Sequence, residues 1–284
     1  MTHAAAGAGA AYLAAYDQQI RARITAREIA EGRADRSGPV IRKTFPGERG
    51  FISYCDLAGL TGAALDDLIA RQRDHFARLG AAAEWKYHSH DQPADLPERL
   101  AAAGFVPEDA ETLLLGESAR LAAAGAADWP DGVTLREVAA QPDLERIRDL
   151  EQAVWGGDHD WLPGVLGRDI DDPDDPCVVV VAEAGRGVVC AGWIRFHRGT
   201  DFASLWGGST LPRWRRRGIY RGTVAYRARL AADRGFRYIQ VDASPDSRPV
   251  LARLGLLPVA TTIPFVWSPP AGQGGTWPER SADA

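Results

Sequence analysis

The sequence predicts an α/β chain of the α+β kind, built as two mixed central β-sheets, each flanked by helices. Three observations carry this reading. Short runs rich in Val, Ile, Phe and Tyr alternate with longer segments whose apolar residues recur at helical spacing. Glycines stand where several of those helical segments stop, at Gly80, Gly104, Gly235 and Gly255. The order of elements occurs twice, and 284 residues suit about two domains.

Residues before Ala10 are Ala- and Gly-rich and are expected to fray. Tyr12 to Gly32 reads as one or two helices, with Leu13, Tyr16, Ile20, Ile24 and Ile29 turned inward. Val40–Phe45 and Phe51–Leu57 alternate as strands around Pro46-Gly47-Glu48-Arg49-Gly50, a hairpin. A helix over Ala63–Leu79, a strand over Glu84–His88, a helix over Ala94–Ala103 and a strand over Glu111–Gly116 complete a first domain, 1–117. Residues 118–131, rich in Ala, Gly and polar residues, read as a linker. A second domain, 132–268, opens with a strand over Val133–Val138 and a helix over Gln141–Trp155. A loop and a short helix to about Ile170 come next, then strands over Cys177–Glu183, Val188–His197 and Phe202–Leu211. A helix to Arg234, a strand over Phe236–Ala243, a short helix to Leu254 and two terminal strands follow. The Pro/Gly-rich tail 269–284 reads as disordered.

The repetition has fixed marks. Phe51, Gly80 and Gly104 open a strand and close two helices; Phe202, Gly235 and Gly255 do the same, and the outer marks stand equally far apart in both copies. Gly104-Phe105-Val106-Pro107 also echoes Gly255-Leu256-Leu257-Pro258. The copies differ at the junction of strand and helix. The first carries Asp66 and Asp67 in the opening helical turn, where carboxylates suit the helix but repel an anion.

Bulk composition narrows the function. A net charge of −5 argues against nucleic acid as partner. All but two of the 33 basic residues are arginine, so an arginine cluster alone means little. Cys55, Cys177 and Cys190 form no C-x-x-C pair and no disulfide framework, which suits a reducing compartment. No apolar run suits a membrane span. The expectation is a cytoplasmic protein, monomeric or homodimeric, without nucleic-acid or membrane partners.

The informative stretch is Leu205-Trp206-Gly207-Gly208-Ser209-Thr210-Leu211-Pro212-Arg213-Trp214-Arg215-Arg216-Arg217-Gly218-Ile219-Tyr220. It reads as strand, basic turn, helix. Amides at a helix start and a positive dipole end favour an anion, and Arg215, Arg216 and Arg217 add charge. Arg215-x-x-Gly218 after Leu-Pro resembles motif A of the GNAT acetyltransferases, and the elements after it follow that family's order. The resemblance is to tandem GNAT proteins, with a degenerate first copy. It implies acetyl-CoA as cosubstrate and no metal. Backbone groups of Ser209, Thr210 and Leu211 would meet the pantetheine and thioester; those of Arg216 to Tyr220, Gly218 and Ile219 among them, would meet the pyrophosphate, and Arg215 would also bind the cofactor. Tyr220 departs from the family's small residue at its position. Ser244 stands where the family often has Asn, and Leu251 where it often has a Tyr acid.

Amine transfer needs a proton acceptor. Asp158 and His159, in the loop after the Gln141–Trp155 helix, are candidates, as is Asp242, on the strand beside the motif. Glu183 is a weaker one. Ser247 is the nearest polar candidate to support a leaving thiolate. His88-Ser89-His90-Asp91 looks metal-like but lacks further ligands nearby. The expected activity is transfer of an acetyl group to a small-molecule amine by direct attack. The alternatives are a non-catalytic CoA-binding or interaction module, or use of another acyl donor.

Overall fold

Glycine placement and strand patterning position the elements of this chain as its computed structural model shows them. Residues 3–45, 49–125 and 129–270 are described. Among these, 13–113 with 260–270 form an amino-terminal unit, and 3–12 with 114–259 a carboxy-terminal unit. The cuts fall after residues 12, 113 and 259, the first inside a helix and the other two inside strands, whereas chain-order boundaries were expected at 117, 132 and 268.

Helix α1 (His3–Tyr16) begins where fraying was expected, as its alanines favour. It continues into a π-helical turn, Asp17–Arg21. Helix α2 (Ala26–Ala30) is closed by a capping box: Thr25 Oγ accepts from the Glu28 amide at 3.1 Å, and Glu28 Oε2 from the Thr25 amide at 2.7 Å. Strands β1 (Ala34–Ser37), β2 (Val40–Lys43) and β3 (Gly50–Ser53) are antiparallel neighbours. Polar β1, Ala-Asp-Arg-Ser, has no alternation that would announce it. The hairpin tip, 46–48, lies outside the described residues. Helix α3 (Gly62–Arg78) carries the chain to β4 (Ala83–His88), parallel to β3. Helix α4 (Leu96–Ala102), β5 (Val106–Pro107) and β6 (Glu111–Glu117) follow.

The core of this unit packs Leu65, Leu68, Ile69 and Phe76 of α3 against Ile52, Trp85 and Phe265. Burying each large side chain contributes roughly 2–3 kcal/mol. Phe265 belongs to the last strand of the chain, whose residues 262–267 pair antiparallel with β4, from Thr262↔His88 to Trp267↔Ala83.

In the carboxy-terminal unit, α5 (Ser118–Ala124) occupies part of the stretch read as a linker. It packs on the helix named α8 below, where Gly125 lies so close to Ala225 that no Cβ fits. Residues 126–128 lie outside the described residues. Then come β7 (Val133–Val138), α6 (Gln141–Trp155), α7 (Leu162–Ile170), β8 (Cys177–Ala184), β9 (Gly187–Phe196) and β10 (Phe202–Thr210). A 3-10 turn over Pro212–Trp214 leads to α8 (Ile219–Asp233), β11 (Tyr238–Ala243) and α9 (Arg248–Arg253). One strand, β12 (Leu257–Trp267), replaces the two terminal strands expected. No glycine or turn dipeptide interrupts it, so the chain runs straight through. The expected tail lies, from residue 271, outside the described residues.

Strand order is β7-β8-β9-β10-β11, with β6 beside β11. One sheet face packs under α6 and α7 through Leu144, Ile147, Leu166, Val179, Ala191 and Trp193. The other packs under α8 through Ile194, Phe196, Leu205, Val224 and Ile239. Both copies of the repeat close their helices with left-handed glycines: Gly80 (φ 63°), Gly104 (φ 90°), Gly235 (φ 83°) and Gly255 (φ 105°). No helix among the described residues is long and apolar enough to cross a membrane.

Candidate active site at the parting of two strands

Strands β10 and β11 pair in parallel only at Phe202↔Tyr238, Ala203↔Ile239 and Ser204↔Gln240. Beyond Ser204 they separate, while β10 keeps its antiparallel partner β9. A bulge falls between Gly207 and Ser209 in that β9 pairing. Both bulge glycines have positive φ, 63° at Gly207 and 118° at Gly208. A Cβ on Gly207 would strike Trp193, and one on Gly208 would stand 2.6 Å from Tyr220 Cε2. The bulk of Tyr220, unexpected for the motif, is thus received by a glycine.

The gap has a free backbone edge. The Leu211 amide is donated to Val189 O on β9 at 3.0 Å, and Leu211 O accepts from Trp214 N at 2.8 Å. Of the three backbone positions expected to meet a pantetheine, Leu211 is therefore already spent. Strand alternation turns the Thr210 peptide groups to the opposite, open edge, where Thr210 O accepts from Arg215 Nε at 3.0 Å. The Thr210 hydroxyl faces back into the sheet, on Cys190 Sγ at 3.2 Å.

At the top of the gap the chain turns through left-handed Arg216 (φ 61°) and Gly218 (φ 81°) into α8. The first intrahelical bond there is Gly222 N–H to Gly218 O, 2.9 Å. The amides of Ile219, Tyr220 and Arg221 precede it and point out of the helix start. A Cβ on Gly218 would meet nothing within 4 Å, so the space over the turn is open. Arg215, Arg216 and Arg217 are exposed around it, with Arg217 over the Trp214 ring at 4.9 Å. Alternating handedness with free amides makes a concavity for an anion.

Under the gap, the α6 face contributes a group that the sequence reading missed. Glu151 is 5 % exposed. Its Oε2 accepts from Ser209 Oγ at 2.6 Å, and Ser209 Oγ accepts from Trp155 Nε1 at 2.7 Å. Its Oε1 is buried with no partner among the described residues. Burial raises this carboxyl from 4.5 to about 7, against the opposing hydrogen bonds from Ser209 and Trp155. The signal was present: Glu151 follows Leu144 and Ile147 on the buried stripe of α6, where a carboxylate has no structural reason to stand.

Under the opposite face, Arg227 of α8 is buried without a carboxylate partner among the described residues. It donates to Trp193 O at 3.0 Å and Trp206 O at 2.9 Å, directly beneath the bulge. Gly192 makes room for it: a Cβ there would lie 2.6 Å from Nη1. Burial lowers its pKa. Tyr220, beside it, is held neutral, its phenol pushed up by burial to about 12.

The sequence candidates are spread more widely. Asp242 is half-buried on β11 and accepts from Gln240 Nε2 at 3.2 Å. His159 is buried, stacked on Trp161 at 6.2 Å, with Nδ1 buried and unpartnered among the described residues. Asp158 is an exposed turn former that accepts from the Asp160 amide at 2.8 Å. Ser247 lies 3.3 Å from Ser244, oxygen to oxygen, before α9. Leu251 is fully buried. Glu183, on β8, is engaged by Arg136 at 3.1 Å and Arg146 at 2.7 Å, in an ion-pair network rather than as a free base. His88 and Asp91 are buried within the amino-terminal unit, and no group of His, Cys, Asp and Glu among the described residues is placed to hold a metal.

No family model and no curated protein matches the sequence. Solved structures do match the fold. A GCN5-related N-acetyltransferase from Kribbella flavida aligns over 94 % of this chain and 96 % of its own, at 20 % identity and TM-score 0.63. A tandem GNAT protein from the clavulanic acid biosynthesis pathway aligns over 85 % and 82 %, at 13 % identity and TM-score 0.60. A GCN5-related N-acetyltransferase from Sphaerobacter thermophilus aligns over 93 % and 93 %, at 14 % identity and TM-score 0.55. The chain has the GNAT fold in tandem form.

Proposed function

We propose that this protein transfers an acetyl group from acetyl-CoA to the amine of a small molecule. One observation carries the reading: β10 and β11 part beside an open glycine turn whose amides start a helix. That gap and turn suit a long thiol arm ending in a diphosphate. Acetyl-CoA supplies an acyl group already activated for attack. The amides of Ile219 to Arg221 and the arginines at 215–217 hold its diphosphate. The open edge at Thr210 orients its arm.

Glu151 is the proton acceptor. Near neutrality it is divided between its two forms, which is where a general base works best. Ser209 holds Oε2 through its hydroxyl, which leaves Oε1 to take the proton of the amine. Tyr220, neutral and against Gly208, takes the place of the missing Leu251-position phenol and donates to the departing thiolate. Asp242, on β11 just past its last pair with β10, attracts a cationic acceptor. The protein works in the cytoplasm.

The buried Leu251 favours a second reading, a module that binds CoA without turnover. Release of CoA thiol from acetyl-CoA, with and without a panel of primary amines, separates the two. Transfer requires amine-dependent release, and Tyr220→Phe should lower kcat by about 10-fold. Tight CoA binding with no amine-dependent release would leave the binding module.

A further inference from the structure

Within β10, side-chain burial breaks only at Trp206, Gly207 and Gly208, just past the last β11 pair. Of these three, Trp206 alone has a side chain to offer. It is held from three directions. Its Nε1–H donates to Ser204 Oγ at 2.7 Å, its carbonyl accepts from Arg227, and Arg195 lies over its ring at 5.6 Å. Arg195 is itself paired with Asp169 of α7.

The Ser204 bond continues into a chain of side-chain contacts. An indole nitrogen only donates, so Ser204 Oγ accepts from Trp206. On its other side Ser204 Oγ lies 2.9 Å from His197 Nε2. His197 Nδ1 lies 3.0 Å from Asp175 Oδ2. The order Asp175–His197–Ser204 is that of a nucleophilic serine. Yet Ser204 is 1 % exposed and one of its lone pairs is taken by the indole. A nucleophile must reach its electrophile, and this one is closed off.

We propose that Asp175, His197 and Ser204 are positioning residues that set the plane of Trp206, and that Trp206 is the wall on which the acceptor packs. The acceptor is then an amine with a planar or apolar face beside its nitrogen. Arg195 already supplies the cation over the ring, so the indole offers the acceptor apolar area rather than a cation site. This rests on the acyl-transfer reading.

Steady-state kinetics with phenethylamine and with ethanolamine test it. Wild type should favour phenethylamine in kcat/KM, and Trp206→Ala should lose that preference. His197→Gln should raise the KM for phenethylamine about 10-fold, with kcat within about 3-fold and the KM for acetyl-CoA unchanged. Asp175→Asn, in a loop, should do the same should His197→Gln fail to fold. Trp206 emission, taken as the difference from Trp206→Phe, should shift in both variants. An acyl group trapped on Ser204 of wild type, a fall in kcat at constant KM, or kinetics and emission that stay put would each overturn the proposal. Should wild type turn over no amine at all, the transfer reading fails and takes the acceptor wall with it. The emission shift would still decide the positioning of Trp206.

Discussion

The two units contain the same strand device with opposite contents. In the amino-terminal unit β3 and β4 pair in parallel at Gly50↔Ala83, Phe51↔Glu84 and Ile52↔Trp85, then part, as β10 and β11 do after three pairs. There the opening is filled by the chain itself. Tyr54, 1 % exposed, donates to Asp91 Oδ2 at 2.6 Å; the His88 amide donates to the same oxygen at 2.8 Å; and Arg21 Nη2 donates to Oδ1 at 2.6 Å. Burial holds His88 neutral, well below its usual range. In the carboxy-terminal unit the corresponding opening is bordered by two glycines and a titratable carboxyl. The parting of strands is therefore a property of the fold; what the neighbouring side chains do with it decides whether a ligand has room.

That contrast breaks most sharply at Glu151. Replacing it with Gln keeps the acceptor for the Ser209 hydroxyl but removes the base, so kcat should fall by roughly 10²–10⁴. The pH profile, which in the parent should rise through about 7, should flatten. An unchanged profile would move the base elsewhere, to Asp242 first.

Next in size is the filled opening. Asp91→Ala removes the nearer of the two carboxylates on buried Arg21, leaving Asp17 at 3.4 Å, and breaking such a buried pair typically costs about 3–5 kcal/mol. Chemical denaturation should register that loss, with CoA affinity of the folded protein unchanged. A variant as stable as the parent would mean that the Arg21–Asp91 pair is not what closes this opening.

Glu151 also links stability to pH. Its folded carboxyl binds the proton more tightly than the unfolded one, so its contribution is complete below about 4.5 and is lost as pH rises through about 7. The loss is on the order of 3 kcal/mol. Glu151→Gln should therefore be more stable than the parent at pH 8 and similar at pH 4.5. Melting curves at the two pH values check it, and parallel curves would contradict the buried, titrating carboxyl.

How far the sequence foretold this depends on the kind of signal. Strand β7, helix α6 and the β10–turn–α8 segment were legible because periodicity, a turn glycine and helical spacing agreed there. The repeat was legible in four helix-closing glycines, which must take positive φ. Strand β1 was not, since an Ala-Asp-Arg-Ser strand has no apolar alternation. The single strand β12 was read as two because family order, not a turn residue, suggested a break. Glu151 escaped because the search for a base went to loops and strands, though its spacing from Leu144 and Ile147 put it inside. The Tyr220–Gly208 fit and the Ser204–Trp206 bond join residues whose contact only the bulge and the parting create.

The central claim is that the turn at Gly218 seats the diphosphate of CoA. Calorimetric titration of CoA into the parent and into Gly218→Asp tests it directly. A carboxylate at an open, left-handed position, φ 81°, adds both repulsion and backbone strain. Saturable binding by the parent, weakened by about 10–100-fold in the variant, is the predicted result. Equal affinity in the two proteins, or no binding by the parent, would contradict the account.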